Sequence, residues 1–118
     1  MTHTSLPTPV NITGIGIDIE DIHRFKARPL ESYSSFYTKI FTVREIDYCS
    51  GKRNPYPHLA VRFAAKEALM KALGKKIANY RSIEVVFEDE KPFVLWNKTR
   101  YTLSLSHDKD KAVAVVVR

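Results

Sequence analysis

Cysteine is almost absent: Cys49 is the only one. No disulfide can close within the chain, so the fold must rest on its core, which fits a reducing, cytoplasmic setting. Cys49 itself reads as a small buried side chain or an inert surface thiol. Long apolar runs are also missing, none nearing the roughly 18 residues of a membrane-crossing helix, so no membrane association is expected. The opening MTHTSLPTPV has neither a basic start nor an apolar core. It is read as a flexible lead-in over residues 1–11, not as a signal peptide. Repeats, low-complexity tracts and internal linkers are lacking as well. The net charge of +6 favours anionic partners. Yet the lysines and arginines form no basic run and lack the aromatic interleaving of single-strand binders.

What remains is an ordinary composition, 44% hydrophobic and 27% charged over 118 residues, enough for one domain with its own core. "NITGIGIDIE" reads as a short strand whose glycines permit close backbone approach, with Asp18 near its end. Ile19, Ile22 and Phe25 then fall at helical spacing, with acidic residues in the first turn and basic ones in the last, and Pro29 stops that helix. Residues 31–40 suggest a short helix. "FTVREIDYC" starts another, with Thr42 as N-cap and Glu45 closing a capping box. A long helix is predicted from about Pro57 to Leu73, ended by Gly74. The second half changes period: "RSIEVVFED", "KPFVLW", "YTLSLS" and "KAVAVVV", joined by short connections, predict an antiparallel meander. The last of these is apolar on both faces. Such a strand is covered on both sides, by a helix and by a further partner such as another subunit.

Chemistry-bearing residues are few. Glu67 and Lys71 stand i, i+4 on the long helix, a spacing that stabilises a helix by about 0.2–0.5 kcal/mol. They share their stripe with Ala60, Ala64 and Gly74, small residues that let other groups approach. A carboxylate there needs a partner. A metal ion would satisfy it and free the lysine for a phosphate. Asp18, otherwise a helix cap or turn former, offers a second carboxylate from a separate element. Two such groups suit Mg²⁺, which keeps several waters and takes remaining ligands from substrate phosphates. In "SLSHDKDK", Ser106, His107 and Asp108 are neighbours on one strand and cannot form a triad. His107 is either a turn histidine or a group that touches phosphate or a reacting hydroxyl. "GIGID" lacks the third glycine of a dinucleotide fingerprint.

Taken in order, "GIGIDIEDIHRF", "FTVREIDYC", "LAVRFAAKEALMKALG", "KPFV" and "LSLSHDKDKAVAVVV" resemble the holo-[acyl-carrier-protein] synthases, the short bacterial-type class of 4′-phosphopantetheinyl transferases. The resemblance runs from about Ile12 to the C-terminus, and residues 12–118 are read as a single transferase domain. It implies an α+β fold with a long central helix packed on an antiparallel β-meander, assembled as a homotrimer with active sites at subunit interfaces. It further implies transfer of phosphopantetheine from coenzyme A to a serine of an acidic acyl carrier protein, releasing adenosine 3′,5′-bisphosphate. Mg²⁺ would be required, with Mn²⁺ able to substitute. On this likeness Asp18 and Glu67 are metal ligands, and Lys71 contacts substrate phosphate. His107 matches the histidine after the S-x-S strand, with no fixed role, and Arg24 matches the arginine that meets the carrier protein. Serine must also lose a proton, to a carboxylate or to water on the metal.

Three positions depart from the family pattern: Val43 where Glu is frequent, Glu90 where a glycine commonly precedes the K-P pair, and Glu20 at a spot often apolar. None coincides with a metal or phosphate position. A nucleic-acid-binding domain would account for the charge, but it leaves Asp18, Glu67, Lys71 and His107 without a task.

Overall fold

The computed structural model describes residues 11–118; the lead-in expected over residues 1–11 lies outside them except for Asn11, which is exposed. The elements run β1 (Ile15–Asp21), α1 (Ile22–Lys26), α2 (Ser34–Ile40), α3 (Val43–Ser50) and α4 (Pro55–Leu73). A 3-10 turn (Tyr80–Ser82) then leads into β2 (Glu84–Glu88), β3 (Lys91–Trp96), β4 (Thr99–His107) and β5 (Lys111–Val117). The sheet order is β1-β5-β4-β3-β2, antiparallel at every pairing. The expected meander is therefore present, with β1 added to its far edge. No helix among the described residues is long and apolar enough to cross a membrane.

The N-terminal boundary differs from expectation. Strand β1 continues through Ile19 and Glu20 to Asp21, so Asp18 lies mid-strand and not at its end. Ile19 is exposed, and α1 is only five residues long, with Asp21 as its N-cap accepting from His23 N at 3.0 Å. Pairing with β5 held these residues in the strand, where Ile19 faces Val113 across the ladder. Thr42 and Glu45 form the predicted capping box of α3. α4 begins two residues earlier than expected, capped by Asn54, and ends at Gly74 with φ +70°.

α4 lies across β1 and β5 at backbone contact. A Cβ on Gly16 would sit 1.9 Å from the Ala68 carbonyl oxygen, and one on Gly14 2.1 Å from that of Ala72. This corrects the reading of the small-residue stripe. Ala60 and Ala64 are fully buried, Ala60 in a cluster with Ala112 and Phe25 and Ala64 in one with Ala114 and Val116. They make room for the sheet and leave none for a ligand.

The two faces of β5 part company. Ala112, Ala114 and Val116 are buried against α4, while Val113, Val115 and Val117 are only half-buried. On that outer face they pair with Ile19, Ile17 and Ile15, all about 60% exposed. The helix covers one face only. Glu90 also finds an explanation: it and Asp89 form a two-residue hairpin turn with φ of +67° and +50°, a region where glycine is unstrained.

Candidate active site

Strand alternation points Asp18 and Glu20 toward α4, opposite Ala114 and Ala112, while Ile17 and Ile19 face away. Asp18 meets Lys71, whose Nζ lies 3.1 Å from Oδ1 and also donates to the Ile17 carbonyl at 3.0 Å. Lys71 therefore turns away from Glu67 to the strand, and the helical i, i+4 pair does not form. Glu67 instead accepts a hydrogen bond from the Tyr80 hydroxyl at Oε1, 3.1 Å away.

Each of the two carboxylates thus has one oxygen engaged. Asp18 Oδ2 is buried and has no partner among the described residues, and no hydrogen bond there reaches Glu67 Oε2. An orphaned carboxylate oxygen is costly unless a cation or a proton reaches it. Glu20 brings a third carboxyl to the cluster. Its pKa is pushed up to about 8, first by burial, then by the neighbouring Asp18 and more weakly by Glu67, against the pull of Arg24. Held largely protonated at neutral pH, the Glu20 carboxyl can share its proton with Asp18, and a cation bound there would take that proton's place.

The donors are all oxygen, which suits a hard divalent cation. No three His, Cys, Asp or Glu side chains among the described residues are arranged as a complete metal cage. Two carboxylates that leave the remaining positions to water and phosphate fit Mg²⁺ better than a closed cage does. Beside them opens a trough of about 460 Å³ lined by Glu67, Met70, Lys71, Gly74, Lys75 and Lys76, three cations over an apolar floor.

Arg24 borders the same cluster. Its Nη1 donates to Glu20 Oε1 at 3.0 Å and its guanidinium lies 5.4 Å from the Phe63 ring centroid, yet half of the side chain remains exposed. Arg28 stacks on Phe36 and donates to the Arg24 carbonyl.

His107 is elsewhere. It ends β4 and packs edge-on against His58, their rings 6.0 Å apart, in a pocket of about 330 Å³ that includes Tyr48, Arg62 and Phe87. His58 precedes Glu67 by nine residues, about 13 Å along the helix axis. Within one chain, then, Asp18, Glu67 and Lys71 come together and His107 does not join them. Its pocket holds one buried cation, Arg62, with the Glu90 carboxylate also on its lining. Arg62 is buried, its guanidinium faces Tyr48 and Phe87, and its Nε has no partner among the described residues. Burial, followed by Arg62 and His107, lowers the His58 pKa and favours its neutral form.

Sequence reasoning missed Tyr80, Arg62 and His58, and weighed Glu20 only as a departure. Arg62 carried a signal, being a charge whose helix neighbours Val61 and Phe63 are core residues. Tyr80 carried none, because its partner is 13 residues away across a turn. A groove of about 520 Å³ between α2, α3 and the start of α4 holds no cluster of catalytic groups.

Residues 14–116 match the family model of the 4′-phosphopantetheinyl transferase superfamily. Holo-[acyl-carrier-protein] synthase of Geotalea daltonii is 39% identical over 121 residues, covering 90% of this chain and 97% of that protein. That of Thermodesulfovibrio yellowstonii is 43% identical over 111 residues, covering 90% and 97%. The crystal structure of a holo-(acyl-carrier-protein) synthase from Bacillus anthracis str. Ames in complex with CoA (3′,5′-ADP) aligns with a TM-score of 0.76. It is 37% identical and covers 90% of this chain and 95% of that one.

Proposed function

The chain belongs to the 4′-phosphopantetheinyl transferase superfamily, and from that premise we propose that it acts as a holo-[acyl-carrier-protein] synthase. It transfers 4′-phosphopantetheine from coenzyme A to a serine hydroxyl of apo acyl carrier protein, leaving adenosine 3′,5′-bisphosphate. The observation that carries the reading is the meeting of Asp18, Glu67 and Lys71, with a buried, unpartnered carboxylate oxygen at its centre.

Asp18 and Glu67 would hold Mg²⁺, or Mn²⁺ in its place, which would supply positive charge to neutralise the pyrophosphate during transfer. Lys71 leaves Asp18 for a phosphate oxygen, since its exposed ammonium costs little to redirect. A carboxylate of the same cluster receives the serine proton. Arg24 presents its exposed edge to the acidic carrier protein.

The protein works as a homotrimer. Support comes from the outer face of β1 and β5, where six aliphatic side chains form one patch that a subunit of this size leaves uncovered. Assembly also gives His107 a role: its pocket, with Arg62 and His58, faces the phosphates or adenine of coenzyme A bound at a neighbour's Asp18–Glu67 pair. That reading accounts for the separation of the two half-sites within one chain.

Mass spectrometry of apo acyl carrier protein incubated with the enzyme, coenzyme A and Mg²⁺ tests the reaction. A gain of one phosphopantetheine on the carrier serine is expected. An unmodified carrier under saturating substrates would overturn it.

A further inference from the structure

Tyr80 is anchored at both ends. Its ring stacks on Phe63, with centroids 5.7 Å apart and planes within 6° of parallel. Its backbone carbonyl accepts from Lys66 Nζ at 3.2 Å. Lys66 is fully buried and also donates to the Ile40 carbonyl and to Glu45 Oε1, both at 2.7 Å. Glu45 in turn takes the Val85 amide on Oε2, so the chain of bonds ends in β2. The remaining polar group of Tyr80, its hydroxyl, reaches Glu67 Oε1.

A glutamate on a helix has three side-chain torsions to fix before it can ligate anything, at a cost in rotamer entropy. Lys71, one turn on, does not fix Glu67, because it is engaged by Asp18. Tyr80 does. We propose that Tyr80 is a positioning residue for Glu67: by holding Oε1 from a rigid, doubly anchored ring it presents Oε2 to the divalent cation. The inference rests on the reading above that Asp18 and Glu67 hold that cation, and it adds a residue the metal does not touch. Groups that hydrogen-bond a ligating carboxylate from outside the coordination shell typically govern metal affinity by about 10–100-fold.

The bland account is that a half-buried phenol merely finds an acceptor. Tyr80→Phe separates the two, since it keeps the stack on Phe63 and the backbone bond to Lys66 and removes only the hydroxyl. Mn²⁺ binding to the full chain, without coenzyme A, is measured by electron paramagnetic resonance for wild type, Y80F, E67Q, D18N and Y80F/E67Q. Melting in chelator runs alongside. Y80F should bind Mn²⁺ about tenfold more weakly with unchanged melting in chelator, and the double variant should lose no more than E67Q alone. The Mg²⁺ concentration giving half-maximal turnover should rise in the same proportion. Wild-type Mn²⁺ affinity in Y80F, with D18N and E67Q impaired, overturns the positioning role. So does a weakened Y80F that also melts early in chelator. Unimpaired Mn²⁺ binding in both D18N and E67Q instead overturns the metal reading on which the inference stands.

Discussion

Two lysine–carboxylate pairs on α4 look alike in sequence and do opposite things. Lys66 and Lys71 are five residues apart, about 140° around the helix. Lys66 meets Glu45 at 2.7 Å with both side chains essentially unexposed, and every oxygen and proton there finds a partner across α2, α3, β2 and the 3-10 turn. Lys71 meets Asp18 at 3.1 Å with its own side chain 56% exposed, and Asp18 keeps one oxygen unsatisfied. A closed ion pair in the interior fixes the fold. An open one at the edge leaves valence for a ligand. Burial lowers the Lys66 pKa, opposed first by Glu45 and then by Glu84.

Breaking the closed pair should have the largest effect. Lys66→Met leaves Glu45 buried without its counter-charge, so the loss expected is about 3–5 kcal/mol, or roughly 10 °C or more in melting temperature. Adding Glu45→Met should restore part of it, and calorimetry at one protein concentration reads both.

The open pair should behave in reverse. Asp18→Asn and Glu67→Gln are expected to lower kcat by at least about 10²-fold while the melting temperature in chelator holds or rises, because each relieves crowded negative charge. Chelator should likewise abolish wild-type transfer, and near-normal turnover in both variants would remove the metal assignment.

The same contrast runs through β1, where Asp18 faces inward and Ile17 outward. Ile17→Glu places a charge in the exposed aliphatic patch and should reduce the sedimenting mass at micromolar concentration from about three chains to one. Activity should fall with it, since the His107 pocket then loses its neighbour. A monomeric wild type that is fully active would refute the trimer.

A smaller effect is expected at Arg24, whose bond to Glu20 is 3.0 Å long with the arginine side chain half in water. Arg24→Gln avoids adding a fourth carboxylate and should raise KM for the carrier about 3–10-fold, with KM for coenzyme A nearly unmoved. Added salt should weaken wild-type kcat/KM for the carrier as screening shortens to about 8 Å. Unchanged carrier KM would move the docking surface away from α1.

Cys49 gives the smallest effect, one of pH. It is buried in the closed region, and burial, helped by Glu45 and opposed by Arg62 and Lys52, pushes its thiol up to about 11. A raised folded pKa means its contribution to stability is intact below about pH 9 and is lost as pH rises through 11. At pH 8 the native thiol should therefore resist iodoacetamide, whereas the denatured chain should react readily. Equal rates would show that the interior opens easily.

Much of this was legible beforehand. Thr42 and Glu45 announced the start of α3, Gly74 announced the end of α4, and alternation with short connections announced β2 to β5. These signals act within a few residues and do not depend on what packs above them. The start of the chain was less legible because Ile19, Ile22 and Phe25 fit a helix as well as a strand running into one, and only pairing with β5 decided between them. Among the site residues, Asp18, Glu67, Lys71, Arg24 and His107 drew notice as charges or a histidine in telling motifs. Tyr80 did not, since an aromatic after a helix is usually core and nothing local marks its hydroxyl.

By itself, then, the sequence determined most element types, the caps at Thr42 and Gly74, the antiparallel meander of β2 to β5 and the candidate carboxylates, all consequences of local periodicity and side-chain chemistry. Tertiary structure decided which lysine is buried and which is free, which alanines make room for the sheet, and which oxygen of Asp18 is left without a partner. It also parted His107 from the carboxylates and joined Tyr80 to Glu67. Those outcomes depend on how β1 and β5 lie against α4, where glycine at 14 and 16 lets two backbones touch. No spacing along a single helix or strand encodes that contact, because each element supplies only half of it.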